Sequence, residues 1–120
     1  MALSTEAVEY LSSQPLGRLA TVAPDGTPQV NPVGFHYDAA LDVIDIGGHN
    51  LAASKKFRNV EAGSKAAFVV DDIESFQPWR VRGVEIRGTA EVLRDHEPPM
   101  RGMSREIIRI HPERVIVWGL

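Results

Sequence analysis

The residues best suited to bind a ligand are cations concentrated in residues 47–72, GGHNLAASKKFRNVEAGSKAAFVVDD. Lys55, Lys56 and Arg58 stand close together in this segment. The whole chain carries 13 Lys and Arg against 16 Asp and Glu, which gives a formal charge of −3. Because these cations cluster in a chain whose net charge is negative, the segment indicates a bound anion. Free amides at a helix start and lysine side chains favour a phosphate.

A short basic helix must position these cations. If Asn50 is its N-cap, the helix runs over residues 51–60, and Ala53, Phe57 and Val60 share the face that packs on a sheet. Lys56 then lies at the boundary, and the residues that turn outward are Ser54, Lys55, Arg58 and Asn59. A solvated basic face on a surface helix is the alternative interpretation, since charged helix faces are common.

A proline-bearing strand is the second candidate. Pro28 and Pro32 both lack an amide donor, so an edge, a bulge or an opened ladder is expected near Pro32. Backbone groups at Val30, Asn31 and Val33 would then be free to bind the polar edge of an isoalloxazine-like ring. An ordinary edge strand that its prolines protect from aggregation explains the same residues.

The other polar residues predict neither a metal site nor an acid–base pair. The histidines, at positions 36, 49, 96 and 111, show no HxH or HExxH spacing. His49 stands just before the basic helix and is a candidate phosphate contact, although a loop histidine without a role fits as well. The chain has no cysteine, which excludes thiolate nucleophiles and disulfides. If the protein is an enzyme, we therefore expect a bound cofactor to carry the chemistry, and we name no catalytic residue.

The elements that must hold these residues are mainly strands. A short helix over residues 4–13 begins at Ser4 as N-cap. A Pro-Asp-Gly turn at residues 24–27 then joins a strand over 16–23 to one over 28–37.

Further strands are predicted in the second part of the chain. The apolar run 65–70 should be buried on both sides and end at Asp71 and Asp72. Residues 82–93 alternate clearly, and Gly88 falls on their inward face, where a long strand must bend. The other predicted strands cover residues 41–48, 106–112 and 114–120. Six to seven antiparallel strands in a single domain over 1–120 favour a small, mainly β barrel.

Together these segments resemble the pyridoxamine 5′-phosphate oxidase-like split-barrel superfamily. The resemblance begins with PLGRLATVAPDGTPQVNPVGF and continues through SKKFRNVEAGSKAAFVVDD, which is similar to the superfamily's phosphate-binding helix and following strand. The segments DIGGHNLAASKKFRN, PWRVRGVEIRGTAEV and RIHPERVIVWGL resemble one branch more specifically. That branch comprises deazaflavin (coenzyme F420)-dependent oxidoreductases and includes a reductase of oxytetracycline biosynthesis. The match covers the chain from about Tyr10 to Leu120.

The resemblance implies an FMN-binding-like split β-barrel and a homodimer with cofactor sites at the subunit interface. Lys56, in the family's K-x-R-N pattern, would bind the cofactor phosphate with Ser54, Lys55 and Asn59. The loop over residues 94–104 is short and proline-rich, so a lid over the substrate is expected to be reduced. The residues that would line the deazaflavin ring are Val30, Asn31, Pro32 and Val33.

Trp79 and Arg80 would reach the cleft, from the partner subunit. Trp79 stands at the start of the long strand, where an aromatic ring can stack on a planar ligand or anchor a subunit contact.

The function that the resemblance implies is hydride transfer between reduced F420 and a conjugated small-molecule acceptor. One alternative is an FMN-binding enzyme, either an oxidase of the pyridoxamine phosphate type or a flavin reductase. Another is a non-catalytic F420- or flavin-binding protein. F420 continues into an anionic oligoglutamate tail, so Lys55, Arg58 and Arg80 favour F420 over FMN.

Charge and hydropathy set the remaining expectations. A net acidic chain is not expected to bind nucleic acid in bulk. No apolar run approaches the roughly 20 residues that a membrane span needs, and no signal-peptide pattern opens the sequence. A cytoplasmic protein is therefore expected.

Overall fold

In the computed structural model, which describes residues 3–120, seven antiparallel strands and two short helices build the fold. The helices are α1, Thr5–Ser12, and α2, Lys55–Glu61, which follows a 3₁₀ turn at Leu51–Ala53. The strands are β1, Gly17–Val22; β2, Pro28–Val33; β3, Phe35–Asp38; β4, Val43–Ile46; β5, Ala66–Phe76; β6, Trp79–Leu93; and β7, Ile107–Trp118.

The strands form one sheet in the order β2-β1-β5-β6-β7-β4-β3. This sheet curls into a half-barrel, so that one face encloses the core and the other faces outward. The mainly β architecture with six to seven antiparallel strands is confirmed. Within residues 3–120, no helix is long and apolar enough to cross a membrane.

The bend in the sheet lies at Gly88, as predicted. Pairing between β6 and β7 passes from Arg87 opposite Arg114 to Gly88 opposite Pro112, so the register shifts by one residue. A Cβ at Gly88 would lie 1.9 Å from the carbonyl oxygen of His111, so only glycine fits. The extra residue is Glu113, a β-bulge that bends β7 without ending it. The expectation of two short strands over 106–112 and 114–120 was therefore wrong.

The predicted strand over residues 28–37 is also wrong, because it divides at Gly34. β2 pairs with β1, whereas β3 pairs with β4 at the opposite edge of the sheet. A Cβ at Gly34 would meet the methyl group of Met100 at 2.8 Å, so the absence of a side chain lets the chain pass beneath the 94–106 loop. β2 is an edge strand, which confirms the interpretation of Pro28 and Pro32.

β5 differs from the prediction in its burial and in its length. Its side chains alternate between buried and half-buried at the start, and Ala67 and Val69 are half-exposed on the outer face. Burial on both sides was wrong for the single chain, because only the inner face of the sheet has a core against it. The strand also continues through Asp71 and Asp72 and ends at Phe76.

The predicted N-cap is correct for α1 and wrong for α2. Ser4 caps α1 as predicted, and its hydroxyl accepts a hydrogen bond from the amide of Ala7. The N-cap of α2 is Ser54, whose hydroxyl accepts from the amide of Phe57, whereas Asn50 has a left-handed φ of 55° and no capping bond. The helix therefore begins four residues later than predicted, and Ala53 is exposed instead of packed.

The core lies between the concave face of the sheet and the two helices. The buried side chains that the helices contribute to it are Phe57 and Val60 of α2 and Ala7, Tyr10 and Leu11 of α1. The largest fully buried side chains are Phe57, Phe68, Leu19, Ile44, Ile46, Leu51, Ile86, Ile107, Ile108 and Ile110.

Candidate functional site

The cations of α2 stand at the surface, held there by the buried side of the same helix. Phe57 is fully buried, which fixes the rotation of the helix and leaves Lys55 and Arg58 exposed. Lys56 is half-buried at the boundary, as predicted. Within residues 3–120, none of these cations forms an ion pair. Each is therefore available to an external anion.

Lys56 has the most distinctive electrostatic environment of these cations. Burial lowers the pKa of its ammonium group, because low-dielectric surroundings disfavour the charged form. An anion placed beside the ammonium group would favour its charged form and offset the free energy that burial of the charge costs. Lys55 lies near the turn that joins β1 to β2, since its charge contributes to the lowered pKa of Asp25 after the hydrogen bonds from Thr27.

Asn59 does not turn outward, so that part of the sequence prediction was wrong. Its side chain is 1% exposed, and its amide nitrogen donates a hydrogen bond to the hydroxyl of Thr21 on β1 at 3.1 Å. Asn59 lies in α2 between Phe57 and Val60, and all three side chains are buried. The amide of Asn59 is therefore bonded inside the protein, where it connects α2 to β1 beneath the exposed cations.

Hydrogen bonds continue from Asn59 through β1 to the edge strand. The Thr21 hydroxyl lies 3.4 Å from Oε1 of Gln29, and the Gln29 amide nitrogen donates to Oδ1 of Asn31 at 2.8 Å. Each of these side chains donates a hydrogen bond to the next, from Asn59 on α2 to Asn31 on β2. We call this series of four residues the Asn59–Asn31 chain. It joins the cationic helix to the strand that was predicted to line a ring.

Sequence reasoning missed Thr21 and Gln29 as parts of this site. A signal for Thr21 was present, because it shares the inward face of β1 with Leu19 and is a polar residue among apolar ones. A buried hydroxyl requires a hydrogen-bond partner. That requirement indicates a contact but does not identify Asn59 or Gln29.

The residues predicted to line a ring point to both sides of β2. Val30 is 63% exposed and Pro32 is also exposed on the outer face, whereas Asn31 is half-buried and Val33 is 4% exposed on the inner face. The ladder with β1 is continuous through Pro32, so the free backbone groups lie on the unpaired outer edge of β2. The side chains of Val33 and Val30 therefore cannot contact one flat ligand together.

His49 lies in the loop before α2 and is tied to the 94–106 loop. Its Nδ1 is 3.0 Å from the carbonyl oxygen of Gly102. The amides of the 3₁₀ turn are also occupied, since Leu51 donates to the Ser104 hydroxyl and Ala52 to the Glu106 carboxylate. The prediction of free backbone amides at this turn was therefore wrong. No local pattern indicates Ser104 or Glu106, which contact the turn from more than 50 residues away.

Trp79 and Arg80 do not approach this region within one chain. They lie at the tip of the β5–β6 hairpin, where Trp79 is 63% exposed and packs edge-on against Phe76. Nine residues of extended β5 separate this tip from Ala67, which is about 30 Å at the rise of a strand.

The described part of the chain, residues 3–120, contains no group of three His, Cys, Asp or Glu side chains placed to hold a metal ion. The candidate site that these residues outline comprises the α2 cations, the Asn59–Asn31 chain and the outer edge of β2.

Comparison with known proteins supports a flavin-type fold. The sequence profile of the pyridoxamine 5′-phosphate oxidase family matches residues 3–119. A 5a,11a-dehydrotetracycline/5a,11a-dehydrooxytetracycline reductase of Streptomyces rimosus is 41% identical over 126 residues, which cover 100% of this chain and 85% of the relative.

Solved structures show the same fold. A conserved hypothetical protein of Mycobacterium tuberculosis superposes with a TM-score of 0.77 at 22% identity, over 99% of this chain and 86% of that one. An F420 reductase superposes with a TM-score of 0.68 at 27% identity, over 94% of this chain and 98% of that one. The first likeness concerns the fold alone, and the second also concerns the sequence.

Proposed function

The chain belongs to the pyridoxamine 5′-phosphate oxidase family, and we propose that it is an F420-dependent oxidoreductase acting on a conjugated small molecule. The Asn59–Asn31 chain carries this proposal. It ties a helix bearing unpaired cations to a strand with a free backbone edge, and these are the two surfaces that a phosphorylated ring cofactor requires. Either surface alone would fit an ordinary helix face or an ordinary edge strand.

The residues present fit the phosphate end of such a cofactor. Lys56 is half-buried and forms no ion pair in the described chain, and burial lowers its pKa. An anion beside Lys56 would stabilise the charged form that burial disfavours. Lys55 and Ser54 flank it at the start of α2. The Ser54 hydroxyl already caps the helix and donates to the carbonyl of Leu51, so Ser54 contributes less than the lysines.

F420 is preferred to FMN because of the charges around this position. Beyond its phosphate, F420 carries carboxylates, which need further cations. Lys55 and Arg58 are exposed and unpaired within residues 3–120, and both lie on the same short helix as Lys56. The names of two relatives, a dehydrotetracycline reductase and an F420 reductase, support the same choice.

When bound, a reduced deazaflavin supplies a hydride to an electron-poor carbon of the acceptor. The protein's own contribution is binding and orientation. The α2 cations hold the anionic end, while the outer edge of β2 offers backbone groups to the ring. The Asn59–Asn31 chain keeps these two parts at a constant separation. The proton that the product needs comes from solvent or from a nearby side chain, and we name no catalytic acid.

A homodimer completes the site in this proposal. Ala67 and Val69 leave the outer face of the sheet half-exposed, and Val30 on β2 is exposed beside them. A second copy covering this face would bury these apolar side chains. The same copy would bring Trp79 and Arg80 from its own hairpin tip toward α2.

Titration of the purified protein with F420 and, separately, with FMN tests the cofactor. Intrinsic and cofactor fluorescence follow binding, and F420 is expected to bind more tightly. Tight binding of FMN without a response to F420 would reject the proposal in favour of a flavin enzyme of the pyridoxamine phosphate oxidase type.

Turnover separates an enzyme from a protein that only stores the cofactor. Reduced F420 is mixed with a panel of enones and quinones, and reoxidation is followed by absorbance. Oxidation that depends on both the protein and an acceptor supports the proposed reductase. Binding of F420 without turnover of any acceptor would favour a storage protein.

A further inference from the structure

The Asn59–Asn31 chain ends in an amide nitrogen that has no partner. Oδ1 of Asn31 accepts the hydrogen bond from Gln29 at 2.8 Å, whereas its Nδ2 forms no hydrogen bond within the described residues 3–120. In this part of the protein, no side-chain nitrogen or oxygen is buried without a partner, so the Asn31 nitrogen reaches the surface. It carries two N–H groups, and Asn31 therefore offers hydrogen-bond donors to a ligand.

The buried end of the chain determines the direction of its hydrogen bonds. Asn59 donates to the hydroxyl oxygen of Thr21, and the single proton of that hydroxyl is directed at Oε1 of Gln29. The amide nitrogen of Gln29 is then left to donate to Asn31. Turning the Gln29 amide around would leave the proton of a buried hydroxyl without an acceptor, which is unfavourable.

Asn31 lies between the two surfaces to which the cofactor is proposed to bind. The chain starts on α2, which carries the cations, and ends on β2, which has the free backbone edge. The Asn31 side chain is half-buried there. A ligand that extends from the α2 cations to the edge of β2 therefore passes close to the Asn31 nitrogen.

We propose that Gln29 is a positioning residue, which turns the Asn31 amide so that its nitrogen donates to the ligand. The ligand must then present a carbonyl or an anionic oxygen at this point. A ligand with an N–H group there would place two donors together and would be disfavoured. That the ligand is a ring cofactor rests on the proposed function, whereas the direction of the hydrogen bonds does not.

Side-chain amide signals in the NMR spectrum of the ¹⁵N-labelled protein test this direction without a ligand. The NH₂ protons of Gln29 should exchange with solvent more slowly than those of Asn31, because a Gln29 proton is bonded within the chain. Adding whichever of F420 and FMN the protein binds should slow exchange at Asn31. Slower exchange at Asn31 than at Gln29 in the free protein would reveal the opposite direction and overturn the proposal.

Two substitutions of Gln29 separate positioning from a merely structural role. Gln29→Glu keeps the shape of the side chain and the bond from Thr21, but its carboxylate has no proton for Asn31. The Asn31 nitrogen must then turn to Glu, and its oxygen to the ligand, so that cofactor affinity should fall by about tenfold. Gln29→Met removes both bonds and leaves Asn31 free to rotate, so affinity should fall by only about threefold.

Fluorescence titration with the cofactor measures these affinities, and Thr27→Glu is the matched control for charge. Thr27 is exposed in the β1–β2 turn, two residues or about 7 Å along the chain from Gln29. The same negative charge at this position should change affinity by less than about twofold. A loss in Gln29→Met or in Thr27→Glu as large as that in Gln29→Glu would overturn the proposal.

The choice of cofactor distinguishes this failure from failure of the proposed function. If the protein binds FMN and not F420, and the variants keep their order with FMN, the role of Gln29 stands and the F420 assignment does not. If F420 binds and turns over but both Gln29 variants bind it as the wild type does, the oxidoreductase stands and the role of Gln29 is wrong. If neither cofactor binds, both proposals are wrong.

Discussion

The amide nitrogen of Asn59 lies 3.1 Å from the hydroxyl oxygen of Thr21, and both side chains are 1% exposed. This bond connects α2 to β1, the strand next to the β2 edge of the sheet. Any displacement of α2 relative to β1 must break it inside the protein, where water cannot replace the lost partner.

Thr21→Val should therefore destabilise the protein by about 1–3 kcal/mol, because it leaves the Asn59 amide buried without an acceptor. Urea unfolding followed by circular dichroism measures the change. Thr89→Val is the control, since Thr89 is exposed on β6 and should change stability by less than about 0.5 kcal/mol. Equal effects would mean that the bond does not contribute to stability.

Lys56→Ala should weaken F420 binding by about tenfold to hundredfold, because it removes a charged contact to the phosphate. The fold should persist, since the side chain makes no ion pair within residues 3–120. Fluorescence titration measures the affinity, and Arg101→Ala is the control. An unchanged affinity for Lys56→Ala would place the phosphate elsewhere.

Binding of the anionic cofactor should also weaken as the pH rises. Burial lowers the pKa of Lys56 in the free protein, and a bound anion raises it by favouring the charged form. The cofactor should therefore bind at full affinity below the pKa of Lys56 in the free protein. The affinity should fall as the pH rises from that pKa to the higher pKa of Lys56 in the complex. Lys56→Arg should remove this dependence, since arginine stays charged. Titrations at a series of alkaline pH values would show a flat wild-type profile if Lys56 played no part.

Gly88→Ala should destabilise the fold by at least about 2 kcal/mol, because its Cβ would overlap a backbone carbonyl that cannot move aside. Thermal and urea unfolding measure the loss. Gly48→Ala is the comparison, as its Cβ would lie 3.3 Å from the flexible end of the Leu51 side chain. The Gly48 variant is expected to unfold close to the wild type.

Arg109→Met should cost about 3–5 kcal/mol, because it leaves the Asp45 carboxylate buried without its partner. The two side chains form a two-bond ion pair at 2.9 and 3.0 Å and are 14% and 9% exposed. Arg105→Met breaks the Arg105–Asp95 pair, whose side chains are 61% and 90% exposed, and should cost less than about 1 kcal/mol. A similar loss in both variants by urea unfolding would contradict the role of burial.

Several features of the fold could be predicted because their causes are local. Ser4 caps α1 since a hydroxyl three residues before an amide can reach it in any context. The bend at Gly88 follows from a glycine on the inward face of an alternating strand. The edge position of β2 follows from prolines that cannot donate hydrogen bonds. The cations of α2 could be recognised as one group because they are neighbours in the sequence.

Other features depend on which distant segments pair, and no local pattern contains that information. Gly34 divides a predicted strand because β3 finds its partner in β4 while β2 remains with β1. Ser104 and Glu106 reach the 3₁₀ turn from across the sequence and occupy amides that were expected to be free.

The sequence by itself determined the types of residue at the site: clustered cations, a strand with proline interruptions and a mainly β frame. The tertiary structure decided that Asn59 faces inward, where its amide nitrogen donates a hydrogen bond to Thr21 on β1. It also decided that Thr21 and Gln29 connect Asn59 to Asn31. The physical reason is that hydrogen-bond partners of buried polar groups are chosen by packing, which brings together residues far apart in the chain.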